Sequence, residues 1–517
     1  MTPDQLIVPS TPWWRRRWLF VVVATIVVAA FLAAAAAVLL DERRSCGDGV
    51  TRFGGTRECV GITDGAFHFE LDGPDGEAAS MRRVLELIRE ANDDVRDSGD
   101  LWFSVAYVLP MPWRGQGAYP AVNVVHQLYG AYAAQTQANE RNDRLKMRLL
   151  VANTGHDGVA WEQVAQDLID RRGSDRLAAV AGLGPSRDTT KEFVAKLSEA
   201  GIPMVGATIT ADDLNGANYP HLYRVSPTNA DEVAVGLRYL RGVSESADVN
   251  PYLLTVGGQD DTYVATLKEA FRATFPDAFS ARTLDPDENG HNQALEALAG
   301  DLCASGLPVV AYFAGRAASL RTFLMALGEQ CPRNHSVTVL SGDDASALVG
   351  TFTPEQTAAL QGKAITLVYT GLTHPEQWIT KPVELDNLRE IVADRMPYAA
   401  AGLATGGTIM AYDAVRLAVR ALLNVAPSQE DLGQLDSLSN GFAQINTDSP
   451  YCGASGPIAL EANRPEAAGN TVNKPIPVIE ITAAGVAQVR TLLSPTEPEN
   501  GGVTWDGKCP VQQGMAG

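Results

Sequence analysis

The stretch Val180–Val225, VAGLGPSRDTTKEFVAKLSEAGIPMVGATITADDLNGANYPHLYRV, constrains the fold more than any other part of the chain. It reads as an apolar strand, a Gly/Ser loop, a helix, a second apolar strand and a Thr-rich loop, closed by Tyr223-Arg224. Two short apolar strands joined through a helix form a βαβ unit and lie parallel. The loops Gly182–Thr190 and Gly206–Leu214 then follow the carboxyl ends of both strands. That edge is where open α/β sheets hold small ligands.

The same alternation runs through most of the chain. Strands are predicted at Trp102–Leu109, Leu145–Ala152, Leu177–Ala181 and Ile202–Val205, with helices at Ala121–Ala138, Ala160–Arg171 and Thr190–Ala200. The series restarts at strand Tyr252–Val256 and goes on through helices Thr262–Phe275 and Asn292–Cys303 and strand Pro308–Phe313. Helix Ala318–Glu329, strands Ser336–Ser341 and Ala364–Tyr369, and helix Gly406–Leu423 follow. Residues Gly456–Leu493 read as β-hairpin material, and the Pro/Gly-rich tail 493–517 as a strap held by Cys509. The class is α/β with mainly parallel sheets. There are too many units for one sheet, and the restart near Pro251 implies two similar, Rossmann-like lobes.

One segment is not globular. Residues 18–40 carry no charge, and about 20 apolar residues suffice to cross a bilayer as a helix. Arg15, Arg16 and Arg17 precede the run, whereas Asp41, Glu42, Arg43 and Arg44 cancel after it. This asymmetry puts tail 1–17 in the cytoplasm and everything beyond residue 41 outside, as a single-pass protein of the cell membrane. A cleaved signal peptide is the alternative, with Ala33–Ala37 offering small residues for cleavage. Glu-Arg-Arg-Ser before Cys46 is not a lipobox. All six cysteines lie beyond the segment, which favours disulfides. Sequence proximity pairs Cys46 with Cys59, Cys303 with Cys331 and Cys452 with Cys509. Residues 41–100 read as a Cys-containing stalk or cap with a helix near 78–95.

The formal charge of −20 argues against nucleic acid as a partner. For an enzyme, the Gly184-Pro185-Ser186-Arg187-Asp188 run lacks the second glycine of a nucleophile elbow. His68, His126, His156, His221, His291, His335 and His374 are scattered without metal-ligand spacing, and no phosphate-cradling motif occurs. No cofactor, metal or catalytic residue is expected.

In order along the chain, Ala106–Pro110, Leu149–Asn153 with Ala160–Leu168, and Gly182–Ser186 with Thr189 stand out. Gly201-Ile202-Pro203, Thr208, Thr210, Tyr219–Arg224 and Pro227 follow, then Tyr412-Asp413-Ala414 and Gly453–Leu460. Over residues 101–492 this set resembles the type I periplasmic binding proteins, in particular the branched-chain amino-acid branch of ABC-transporter substrate-binding proteins. The anchored N-terminus is similar to the arrangement of some Gram-positive actinobacteria. The resemblance implies two lobes, 101–226 plus 371–446 and 227–370 plus 447–492, joined by three crossovers near Ser226, Thr370 and Asn446. It also implies an amino-acid-like solute or similar small polar carboxylate in the cleft between them, delivered to an ABC permease. A ligand-sensing receptor ectodomain or an envelope scaffold is the alternative.

Carried over residue by residue, the resemblance gives Ser186 and Thr210, with Thr208 and Thr189 beside them, as donors to the ligand carboxylate. Asp343 would receive its ammonium, with Asp344 as competitor if the register slips by one. Tyr263 would be an aromatic contact, with Trp113 a weaker one. Arg316 departs from the pattern, standing where the family often has an aromatic residue; it could meet an anionic ligand or form a salt bridge to Asp343. Without the resemblance, Ser186 and Thr189 read equally as helix caps, and Asp343 as an Asx turn after Gly342.

Overall fold

The computed structural model describes Trp18, residues 20–29 and residues 45–513, except 55–56, 72–74, 142–144, 244–250, 259, 276–279, 286–289, 305–308, 397–398, 426–437, 501, 506–507 and 510–511. Most of the predicted anchor 18–40 lies outside these residues. Among the described residues no helix is long and apolar enough to cross a membrane.

Two sheets organise the chain. The first holds β1 (Ser45–Gly47), β2 (Val50–Phe53), β3 (Glu58–Thr63), β4 (Leu101–Leu109), β5 (Leu145–Asn153), β6 (Leu177–Gly182), β7 (Met204–Gly206) and β8 (Leu222–Arg224). Its order is β1-β2-β3-β5-β4-β6-β7-β8, and β5 through β8 are joined by parallel pairings. The second sheet begins with β9 (Tyr252–Val256), β10 (Ser280–Leu284), β11 (Val309–Gly315), β12 (Val337–Ser341) and β13 (Ile365–Thr370). The small strands β14 (Trp378–Thr380), β15 (Tyr451–Gly453) and β16 (Gly456–Ile458) lie outside it, and β17 (Ile476–Ile481) and β18 (Ala487–Leu493) complete it. Its order is β10-β9-β11-β12-β13-β17-β18, with β17 and β18 antiparallel. The inner strands are apolar runs because helices cover both faces of each sheet. Each lobe therefore has two hydrophobic clusters, one per face.

Two sequence-based boundaries shift. Residues 45–98 are not a stalk or cap apart from the lobes. Strand β3 pairs antiparallel with β5, and helix Asp75–Ser98 buries Met81, Val84, Leu85 and Ile88 in the core of the first lobe. The chain leaves the first sheet after β8, and after β13 it rejoins the first core at Leu372. The third crossing falls later than Asn446: β15, β16 and Leu460 still pack on the first lobe, and the second sheet is entered only at Ile476. Helix Asn229–Val243 and strand β10 carry no prediction above. Inside that helix Gly236 lies close to the second sheet: a Cβ would meet Leu340 Cδ2 at 2.9 Å, and the leucine side chain would have to shift.

The disulfides are Cys46–Cys59, Cys303–Cys331 and Cys452–Cys509, the pairing that proximity implies. The last ties the tail to β15. Trp505 is buried and donates to the Asn473 carbonyl at 3.1 Å, and Gln512–Gln513 pairs with β14. The tail is a strap laid back on the lobes.

Candidate functional site

The carboxyl ends of the parallel strands in both sheets face one cleft of 60 Å³. Its walls include Tyr119, Gln127, Ser186, Thr208 and Thr210 from the first lobe, and Tyr263, Arg316, Asp343 and Asp344 from the second. Of the residues singled out in the sequence, Ser186, Thr208, Thr210, Tyr263, Arg316 and Asp343 are brought together here. Thr189 is not: it stands in the first turn of helix Asp188–Glu199, and its hydroxyl donates to the Asp157 carbonyl at 3.0 Å. Trp113 is buried in its own tight loop with Gln116 and does not line the cleft.

The first-lobe wall is set by backbone geometry. After β6 the chain turns at Gly182-Leu183-Gly184, all with positive φ. At Gly184 (φ 70°) a side chain would also strike Pro110 Cδ at 2.5 Å, so glycine is required. This turn delivers Ser186, whose Oγ accepts from the N–H groups of Thr210 (3.1 Å) and Ala211 (3.2 Å). Ser186 thus fastens the neighbouring loop and caps no helix; helix Asp188–Glu199 follows Arg187 without a side-chain cap. Thr210 donates across the cleft to Asp343 Oδ1 at 3.4 Å.

Arg224 holds that loop from beneath. Its buried guanidinium donates to the carbonyls of Ile209 (3.3 Å), Ala211 (3.1 Å) and Leu214. Burial pulls the group down to about 10. Arg224→Met leaves these carbonyls without their donor, at a cost of about 1–3 kcal/mol for each buried group left unpaired. Hydrogen exchange across residues 208–214 is expected to rise sharply in this variant, while exchange in β11 and β12 stays as in the parent.

The second-lobe wall is acidic. Asp343 follows β12, its backbone N–H donating to Glu232 Oε2 at 3.0 Å, and Thr370 donates to the same oxygen at 2.9 Å. Burial, then the neighbouring Asp344, pushes the Asp343 carboxyl up to about 7. Burial, then Asp343, raises Glu232 well above the usual carboxylate range. Arg316 does not pair with Asp343. Its Nε and Nη2 grip Asp261 at 2.8 Å each, Nη1 reaches Asp344 at 3.2 Å, and Nη2 also donates to the Ser186 carbonyl at 2.8 Å. The guanidinium lies 4.4 Å from the centre of the Tyr263 ring. Among the described residues it is the one cation lining the cleft, and these bonds engage it.

Sequence reasoning missed Tyr119, Asn123 and Gln127. The Tyr107 hydroxyl donates to Gln127 Oε1 at 2.8 Å, and Gln127 Nε2 donates to Tyr119. The rule that found the other loops reaches Tyr119, near the end of the loop that leaves the carboxyl end of β4, while Asn123 and Gln127 follow on helix Ala121–Arg141. That loop shows no apolar periodicity, so no register could be assigned to it. Among the described residues, no group of three or more His, Cys, Asp or Glu is placed to hold a metal ion.

No family model and no curated protein matches the chain. Solved structures do. An ABC transporter substrate-binding protein from Desulfitobacterium hafniense in complex with Leu superposes with a TM-score of 0.55 at 18% identity, over 75% of this chain and 99% of that one. A leucine binding protein from Thermotoga maritima gives 0.53 at 15% identity, over 76% and 99%. A solute binding protein of an ABC transporter from Rhodopseudomonas palustris, in complex with p-hydroxybenzoic acid, gives 0.57 at 12% identity, over 76% and 96%. The chain therefore shares the two-lobed α/β fold of the solute-binding proteins of ABC transporters.

Proposed function

We propose that the chain is a membrane-tethered, extracytoplasmic solute-binding protein that closes its lobes on a small amine-bearing solute, an amino acid or close analogue, for an ABC permease. The carrying observation is Asp343: a cleft-lining carboxylate that makes no ion pair among the described residues, whereas Arg316 is engaged by Asp261 and Asp344. A solute ammonium supplies the missing countercharge. The hydroxyls of Thr208 and Thr210, on the facing wall, would turn to its carboxylate once the ammonium takes Asp343. Two structural neighbours bind leucine or p-hydroxybenzoate. The first carries a cation for Asp343 and the second does not, which favours the amino-acid reading. The tether is the run 18–40, exposed over the described residues 20–29 apart from Val22, with Arg15–Arg17 on its cytoplasmic side. Membrane fractionation of cells expressing the full chain tests the tether; a soluble, shortened product contradicts it.

The pH dependence follows from Asp343, whose carboxyl rises from an ordinary 3.8 to about 7. In the empty cleft the charged form is lost as pH falls through 7. Affinity for a cationic solute is therefore expected to drop by up to about tenfold per pH unit below 7. Stability moves the other way. Between 3.8 and 7 the folded chain holds a proton that the unfolded chain has released, so this group's contribution to stability falls as pH rises through that window. Calorimetric titrations at pH 5, 6 and 7 check the first statement, and Asp343→Asn should flatten the profile.

A further inference from the structure

Arg316 stands where a ligand cation would stand. It leaves β11 at its carboxyl end, directly before helix Ala317–Gln330. Asp261 grips it at two points and Asp344 at a third, with the Tyr263 ring beneath it. These partners are themselves held. Asp261 caps helix Thr262–Thr274 by accepting from Val264 N–H at 3.3 Å, and Asp344 accepts from Ala317 N–H at 2.6 Å. Two carboxylates and an aromatic face in this arrangement make a receptor for a planar cation.

The remaining contact reaches the other lobe: Nη2 donates to the Ser186 carbonyl at 2.8 Å. Further bonds cross nearby, Thr262 Oγ1 to Asp213 at 2.9 Å and Asp188 N–H to the Asp260 carbonyl at 3.4 Å. The space left beside Arg316 is 60 Å³, room for a few waters at about 10–15 Å³ each.

We propose that Arg316 is a tethered internal occupant of the cleft: its guanidinium fills the cation subsite of Asp261, Asp344 and the Tyr263 ring and latches the lobes through the Ser186 carbonyl, so the closed form is populated without solute. The consequences are specific. A solute amine is directed to Asp343, because the other acids are taken. Solutes that carry a guanidinium compete with Arg316 and bind poorly. Binding is helped because the competent, closed form is already populated. Lysine cannot replace arginine here, since one ammonium does not span a bidentate carboxylate, a second acid and a carbonyl. The latch stands on its own contacts; only the routing of the solute amine rests on the solute-binding reading.

The test uses the full-length chain in detergent, with probes on the exposed Glu192 and Glu269, one on each lobe. They are attached through non-native residues that leave the disulfides intact. Without solute, the parent should show one short distance. In Arg316→Ala the closed-to-open ratio should fall by about tenfold or more, equivalent to about 1.4 kcal/mol. Millimolar guanidinium chloride should restore the short distance, and sodium chloride at the same strength should not. Arg316→Lys should stay open, and it decides the matter if the alanine variant fails to fold. An unchanged distance in either variant overturns the latch, and opening that guanidinium does not reverse overturns the occupant. If no solute binds the parent, the solute-binding reading falls while this comparison keeps its outcome.

Discussion

Replacing Asp343 by alanine is expected to remove solute binding, with a loss of about 2–5 kcal/mol. That corresponds to roughly thirty- to several-thousand-fold in Kd. The size follows from the surroundings. Asp343 has no pairing cation among the described residues, and it sits between Thr210 across the cleft and Glu232 behind it. A solute ammonium buried against this acid depends on it for its countercharge, and truncation leaves that ammonium unpaired. Stability should move little or rise, because the folded chain holds this carboxyl at a raised value. Calorimetry and a thermal melt on the same variant separate the two effects. Binding that survives at parental affinity would place the amine elsewhere.

Asp413→Ala should be the most destabilising single change, at about 3–5 kcal/mol. Asp413 lies on helix Gly407–Val425 and is fully buried. It accepts from the N–H groups of Ala454 and Ser455, each at 2.7 Å, and from the Ser455 hydroxyl. Lys474, also fully buried, donates to that hydroxyl at 2.8 Å, and burial pulls its ammonium down to about 8. The cluster docks β15 and β16 on the first lobe just ahead of the last crossing. Without Asp413, the lysine has no countercharge and two amides lose their acceptor. Asp413→Ala combined with Lys474→Met should recover part of the loss, since the two side chains act as one unit. Denaturant unfolding of the single and double variants reads this directly. Additive losses would show that the two do not interact.

Sequence legibility followed the physics of each element. The inner strands were readable because both of their faces are covered, so they appear as continuous apolar runs such as Leu177–Gly182. Their carboxyl-end loops then pointed to residues the structure brings to one cleft. Tyr412-Asp413 and Gly453–Leu460, singled out far apart in the chain, meet through the Asp413 hydrogen bonds. Strands β1 to β3 pair locally with one another, but their place in the first sheet was opaque: β3 finds β5 far along the chain, and no local pattern encodes that. The partners of Arg316 were opaque for a similar reason. The adjacent acids Asp343 and Asp344 differ by one step of a tight turn, and only the folded turn aims Asp344 at the guanidinium. Thr189 shows the same limit in the first turn of a helix, where its hydroxyl is spent on the Asp157 carbonyl and not on the cleft.

The central claim is that the interlobe cleft holds an amine-bearing solute. The most direct measurement is a thermal-shift titration of the full-length chain with amino acids, simple amines and aromatic carboxylates at neutral pH. At about 100 times its dissociation constant, a true solute stabilises by about 2.7 kcal/mol. The account predicts a shift from at least one amino acid or close analogue, weaker or no shift from aromatic carboxylates, and loss of the shift in Asp343→Ala. No shift from any amine-bearing compound, or a shift that Asp343→Ala leaves intact, would contradict it.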